Sequence, residues 1–62
     1  MKIYKITTIT GHLKIIEAAS PVSALKKAHR QITGEKPKKV LWHGKRASVN
    51  GLEIYHPPVQ IG

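Results

Sequence analysis

The chain has 62 residues, enough for one domain, and its eleven Lys and Arg residues outnumber three acidic residues to give a net charge of +8. It contains no cysteine, which excludes disulfides and thiolate metal sites. Its apolar stretches are far shorter than the roughly 18 residues of a membrane-spanning helix. The N-terminal segment alternates polar and apolar residues, unlike a signal peptide. We therefore predict a small cytoplasmic domain with no cofactor and no membrane attachment.

The first two predicted elements form a β-hairpin. Residues 2–10 are rich in Ile, Thr and Tyr, which favour strands. Gly11-His12 predicts a two-residue type II′ turn, and residues 13–18 return as a second strand. Both strands carry apolar residues on both faces, so the pattern fits either a sheet covered on both sides or a self-association surface. The residues expected on such a surface are Ile3, Ile9, Leu13 and Ile15.

A helix follows the hairpin. Ser20 is a suitable N-cap, Pro21 suits the first helical position, and Gly34 suits a left-handed C-terminal cap. Helical spacing predicts one apolar stripe and one basic face. The stripe contains Leu25, Ala28 and Ile32, and the basic face contains Lys26, Lys27 and Arg30. We expect the stripe to pack on the sheet and the basic face to meet solvent.

Beyond the helix, residues 35–39 predict a basic loop, residues 40–43 a third strand and residues 44–46 a turn. Asn50-Gly51 is the strongest short signal for a hairpin, so the segments on either side of it predict two paired strands.

The predicted fold class is α+β. We expect one small antiparallel sheet, in the order β-β-α-β-β along the chain with an extra short strand at residues 47–49 as a further possibility, and one amphipathic helix packed on one face. Residues 1–57 form the predicted domain. Pro57-Pro58 ends the last strand, and residues 58–62 form a predicted loose C-terminal tail.

Positive charge is concentrated in one segment. From residue 26 to residue 46, eight basic residues face one acidic residue, Glu35, which leaves a net charge of +7. Such clustering attracts polyanions or acidic protein surfaces, although basic residues also serve solubility alone. The predicted nucleic-acid-binding residues are Lys26, Lys27, Arg30, Lys36, Lys38, Lys39, Lys45 and Arg46.

Two aromatic residues are candidates for stacking on nucleic-acid bases. Trp42 and Tyr55 fall on predicted strands and would stack if they faced outward. The alternative for Trp42 is a core anchor in a protein that lacks Phe. No zinc-finger, RNP-like or KH-type motif accompanies them.

Catalytic and metal-binding motifs are missing from the sequence. There is no Asp, the three Glu residues are scattered, and no serine lies in a nucleophile motif. The four histidines lack helical i, i+4 spacing. We therefore predict a protein that is not an enzyme and that holds no metal.

Three functional hypotheses follow. The first is a non-enzymatic protein that binds DNA or RNA through a basic patch on the helix and the following loop. The alternative is a small protein of phage or mobile-element type that binds and modulates a host protein through an acidic surface of that protein. The third is a homodimer formed through the two-sided apolar strands.

Overall fold

The computed structural model describes residues 1–62 and contains six strands and one helix. The element bounds are β1 Lys2–Thr7, β2 Leu13–Ala18, α1 Pro21–Thr33, β3 Val40–His43, β4 Arg46–Val49, β5 Leu52–Tyr55 and β6 Val59–Gln60. The predicted α+β class is confirmed. No helix in the structure has the length and apolar character that a membrane crossing requires.

The first hairpin has a longer connection than predicted. Thr7 pairs with Leu13, and the Thr8 amide donates to the His12 carbonyl at 3.0 Å. Three residues, 9–11, therefore form the loop, and its last residue, Gly11, has φ 96°. A three-residue hairpin loop requires a left-handed residue at its last position, which is where glycine stands. The predicted two-residue Gly11-His12 turn was wrong because Gly11 occupies the end of the loop and not its start.

The helix begins and ends where its capping residues predict. The Ser20 side chain accepts a hydrogen bond from the Ser23 amide at 3.2 Å, and Pro21 opens the first turn. Gly34 has φ 75°, and its amide donates to the Arg30 carbonyl at 2.9 Å. These caps satisfy backbone groups that would otherwise lack intrahelical partners.

The chain after the helix forms two tight hairpins. Gly44 has φ 62° in the two-residue turn between β3 and β4. Asn50 and Gly51 have φ 54° and 84° between β4 and β5, so both central residues have the positive φ of a type I′ turn. The Asn50-Gly51 hairpin is thereby confirmed.

The strands form two sheets where one was predicted. Sheet A has the order β2-β1-β6 and sheet B the order β3-β4-β5, and all pairs are antiparallel. A single bridge between Thr8 and Tyr55 joins them. Pro57 and Pro58 separate β5 from β6, and proline has no amide proton to donate. The pairing of residues 55–60 with β1 is therefore interrupted at the two prolines, so β5 and β6 belong to different sheets.

The C-terminal segment was predicted as a loose tail but pairs with β1. Lys5 is opposite Val59, and Tyr4 is opposite Gln60. Beyond β6, the Ile3 amide donates to the Gly62 carbonyl at 3.0 Å. The prediction was wrong because Pro57-Pro58 interrupts the strand without ending the pairing, and β1 has a free edge on the side away from β2.

The core lies between α1 and the inner faces of both sheets. Ten apolar residues are buried there: Tyr4, Ile6, Ile16, Ala18, Ala24, Leu25, Ala28, Ala47, Val49 and Tyr55. Every second residue of β1 and β2 points inward, as the pleat of a strand requires. The opposite face of sheet A meets solvent. Most residues of the loop after α1 and of the β3–β4 turn are also exposed.

Candidate nucleic-acid interface

Asn50 holds the lysine-rich loop that follows α1. Its side-chain Oδ1 accepts hydrogen bonds from the Lys38 amide at 2.8 Å and the Lys39 amide at 3.1 Å. Its Nδ2 donates to the Lys36 carbonyl at 2.9 Å and to the Glu35 carboxylate. The backbone amide of Asn50 also donates to the Lys39 carbonyl at 2.8 Å. The turn residue between β4 and β5 thus fixes a loop that has little regular structure of its own.

The loop surrounds an open depression of about 460 Å³. Its lining residues are Glu35, Lys36, Lys38, Lys39 and Asn50. The backbone amides of Lys38 and Lys39 are turned toward Asn50, whereas the side chains of the three lysines belong to exposed residues. Three exposed ammonium groups around one depression provide a local concentration of positive charge suited to phosphate groups.

Glu35 is the one acidic residue in this lining, and its carboxylate contacts the side chains of Asn50 and His29. The hydrogen bond from Asn50 lowers the pKa of the Glu35 carboxyl below its ordinary value of 4.5, and His29 adds to the effect. The carboxylate is therefore charged at neutral pH and offsets part of the lysine charge. It accepts a hydrogen bond from the Asn50 side-chain Nδ2, which also donates to the Lys36 carbonyl of the loop.

A buried His29–Tyr55 pair lies behind the loop. His29 is 1% exposed, and its Nδ1 is hydrogen-bonded to the Tyr55 hydroxyl. Its Nε2 lies 3.5 Å from the Glu35 Oε1, at the outer limit for a hydrogen bond, and has no other partner. Burial raises the pKa of Tyr55, and the Glu35 charge adds to the effect. This pair joins α1 to sheet B directly beneath the loop.

Tyr55 was predicted as a stacking residue, and the structure contradicts this. Its side chain is fully buried and faces α1, since it belongs to the inner face of β5 and is bonded to His29. A base cannot reach it without unfolding the core. The sequence could not show this because the inward face of a four-residue strand depends on where the helix packs.

Trp42 lies on the surface, as the stacking hypothesis requires. Its side chain is 49% exposed on β3, an edge strand that pairs with β4 alone. The alternative interpretation of Trp42 as a core anchor was therefore wrong, since Tyr4 and Tyr55 supply the large core side chains. Lys39 precedes β3 and Lys45 follows it, so basic residues flank the indole along the chain.

We call the set of exposed residues along the loop, β3 and the next turn the basic strand surface. It consists of Lys36, Lys38, Lys39, Trp42, Lys45 and Arg46. Arg46, which pairs with His43, projects from the other face of sheet B than Trp42, which pairs with Ala47. At about 3.3 Å per residue, the four-residue β3 separates the two groups of basic residues by roughly 13 Å. The indole thus lies within a few residues of cationic groups on either side. Arg46 is opposite His43 at the hairpin end, and His43 Nε2 is bonded to Ser48 Oγ at 2.9 Å.

The three basic helix residues do not form one face with the loop. Successive helical residues are about 100° apart, so Lys26 and Lys27 diverge. The Lys27 ammonium donates to the Glu17 carbonyl of β2 at 2.8 Å, and Lys26 is half-buried. Arg30 is exposed one turn before the loop. Of the trio, Arg30 is therefore best placed to extend the basic strand surface.

The site residues that the sequence did not reveal are Asn50 and Glu35. Asn50 was recognised only as a turn former, because its contacts lie 11 to 15 residues away in sequence. The structure shows no group of three or more His, Cys, Asp or Glu side chains placed to hold a metal ion. Comparison of the chain with protein families, curated proteins and solved structures found no match.

Proposed function

We propose that this protein binds single-stranded DNA or RNA through the basic strand surface, without catalysing a reaction. The observation that carries the proposal is the half-exposed Trp42 on an edge strand flanked by basic residues. Proteins that bind single strands combine a positive groove for the phosphates with aromatic side chains on which bases stack. Both features occur within one short stretch of this chain.

The hydrogen bonds between the Asn50 side chain and residues 35–39, which we call the Asn50 clamp, support the proposal because they organise the loop in advance of binding. A loop of five residues with three lysines would repel itself and sample many conformations. Hydrogen bonds between the Asn50 side chain and the backbone of three loop residues fix the loop before any ligand arrives. The binding event then costs less conformational entropy, which raises affinity at a given number of charge contacts.

A direct test is fluorescence anisotropy of labelled single-stranded DNA, duplex DNA and RNA at two salt concentrations. We expect single strands to bind more tightly than the duplex, and binding to weaken steeply with salt because counterions are released. Lys39→Glu should weaken binding far more than Lys2→Glu, which makes the same charge change on β1 of sheet A. Equal effects of the two variants would mean that net charge alone attracts the nucleic acid and that the proposed surface is wrong.

Trp42→Ala tests the stacking component. Base–aromatic stacking contributes about 1–3 kcal/mol per base, so affinity for single strands should fall roughly 5-fold or more while duplex affinity changes little. An equal loss for both forms would indicate a general loss of structure, which circular dichroism of the variant would detect. Unchanged affinity for all three nucleic acids would contradict a role for the indole.

The second candidate function is binding of an acidic protein segment at β3. The observation that favours it is the unpaired edge of β3, which has one neighbouring strand and is followed and preceded by basic residues. An extended acidic peptide adding to this edge would gain main-chain hydrogen bonds and charge contacts. A stoichiometric complex with a host protein that survives nuclease treatment would favour this function over nucleic-acid binding.

A further inference from the structure

The outer face of sheet A, turned away from α1, is apolar and unpartnered. Its apolar members are 37% to 56% exposed, and cross-strand pairing places them side by side. The face contains Ile3, Leu13, Ile15 and Val59 together with the charged Lys5 and Glu17. Val59 joins it only because β6 pairs with β1. Apolar side chains grouped on one uncovered sheet face favour an interaction at that face.

The charge of this face differs from that of the whole molecule. The protein carries a net charge of +8, whereas the face has one lysine and one glutamate and is neutral. Ile15 lies opposite Lys5, and Ile3 lies opposite Glu17, so the two charges sit on neighbouring strands in adjacent rows. An acidic partner would be drawn to the basic strand surface. A second positively charged molecule can approach this neutral face with the least repulsion.

We infer that the outer face of sheet A binds a second copy of this chain in a two-fold symmetric dimer. In such a dimer the same patch is used by both copies, and we place the two-fold axis so that Lys5 of each copy meets Glu17 of the other. Each of the two ion pairs then joins Lys5, in the middle of the face between Ile15 and Val59, to Glu17 on the edge strand β2. Because α1 lies on the inner side of sheet A, this arrangement leaves the helix of each copy free.

The size of the face predicts a weak dimer. Three strands of up to six residues give a patch of about 20 by 14 Å, from about 3.3 Å per residue and 4.8 Å per strand. This is smaller than the roughly 800 Å² per partner of a standard stable interface. We therefore expect association in the range of about 10 µM to 1 mM.

Salt distinguishes this inference from the proposed function. Two +8 chains repel each other, and salt screens that repulsion, while the apolar contact does not depend on attraction between net charges. Self-association should therefore strengthen as salt is raised. Nucleic-acid binding should weaken over the same range, so either idea can fail without the other.

Sedimentation velocity of the full chain across this concentration range, at low and high salt, tests the inference. We expect the average mass to rise toward that of two chains, more so at high salt. Ile15→Glu replaces an apolar side chain of the face by a carboxylate directly opposite Lys5 and should abolish the rise. Leu52→Glu, at an apolar residue of sheet B that is 40% exposed, makes the same change elsewhere and should leave it intact. A monomer at every concentration and salt would overturn the inference.

A charge exchange tests the geometry. Lys5→Glu and Glu17→Lys should each weaken self-association, because like charges then meet across the two-fold axis. An equimolar mixture of the two variants should associate again, since the mixed dimer forms two ion pairs, one with the original charges and one with the charges at positions 5 and 17 exchanged. Failure of the mixture to associate, with both variants folded by circular dichroism, would contradict the proposed symmetric contact.

Discussion

Replacement of Asn50 by glycine tests the clamp that organises the basic strand surface. Asn50→Gly keeps the positive φ of 54° accessible but removes the side-chain hydrogen bonds to the Glu35 carboxylate and to backbone atoms of Lys36, Lys38 and Lys39. Each of the three bonds to the backbone is worth about 0.5–1 kcal/mol at an exposed site, so from these alone the free energy of unfolding should fall by about 1.5–3 kcal/mol. In a domain of this size that corresponds to a decrease in Tm of roughly 10 °C.

Two further substitutions separate the causes. Asn50→Ala loses the same hydrogen bonds and also forces a Cβ into the left-handed region, which should cost about 1 kcal/mol more than glycine. Asn50→Asp keeps the acceptor for the Lys38 and Lys39 amides but turns a carboxylate oxygen toward the Glu35 carboxylate and the Lys36 carbonyl in place of the donor. It should therefore be no milder than glycine at neutral pH, because both contacts become repulsive.

The assay is urea unfolding followed by Trp42 fluorescence and by circular dichroism, with nucleic-acid affinity measured on the same samples. We expect the glycine variant to fold and to bind more weakly, because the lysine loop is no longer fixed. If Asn50→Gly unfolds at the same urea concentration as the unmodified protein and binds equally well, the clamp neither stabilises the fold nor organises the site.

Three other substitutions test the surrounding contacts. Tyr55→Phe removes the hydroxyl partner of the buried His29 Nδ1 and should cost about 1–3 kcal/mol in urea unfolding; an unchanged midpoint would show that the His29–Tyr55 hydrogen bond contributes nothing. In Gly34→Ala the added Cβ would have no atom within 4 Å, so the strain comes from φ 75° alone. The free energy of unfolding should fall by about 1 kcal/mol, and an equal or higher Tm would contradict that cap geometry. Because the Asn50 hydrogen bond lowers the pKa of Glu35 below 4.5, ionised Glu35 stabilises the fold above pH 4.5, and this contribution is lost as pH falls through the lowered pKa. Glu35→Gln should therefore be less stable than the unmodified protein at neutral pH, and the difference should shrink below pH 4.5; a difference independent of pH in a series of urea midpoints would refute this role.

Elements set by local chemistry were predictable from the sequence. Ser20, Pro21 and Gly34 fix the ends of α1 because a cap depends on the side chain or φ preference of one residue. Asn50-Gly51 predicts its turn for the same reason. The exposed basic residues were also identifiable, since lysine and arginine are seldom buried.

Features that depend on distant parts of the chain were not predictable. The two-sheet arrangement and the pairing of β6 arise where β1 meets residues more than fifty positions away. Trp42 and Tyr55 both pair with Ala47 and so share one face of sheet B. Tyr55 is buried and Trp42 is half-exposed because the core does not extend fully over the edge strand β3, and short strands with apolar residues on both faces do not indicate this. The contacts of Asn50 with the lysine loop were not predictable for the same reason, since they join residues 11 to 15 positions apart in the sequence.

The most direct test of the account is the fluorescence of Trp42, the only tryptophan in the chain, during titration with an unlabelled single-stranded oligothymidylate at low salt. Because the indole is proposed to stack on a base, we predict quenching that saturates with the oligonucleotide, is reversed by added salt, and is weakened by Lys39→Glu but not by Lys2→Glu. Binding detected by anisotropy with no change in Trp42 emission, or no binding at all at low salt, would contradict the proposed interface.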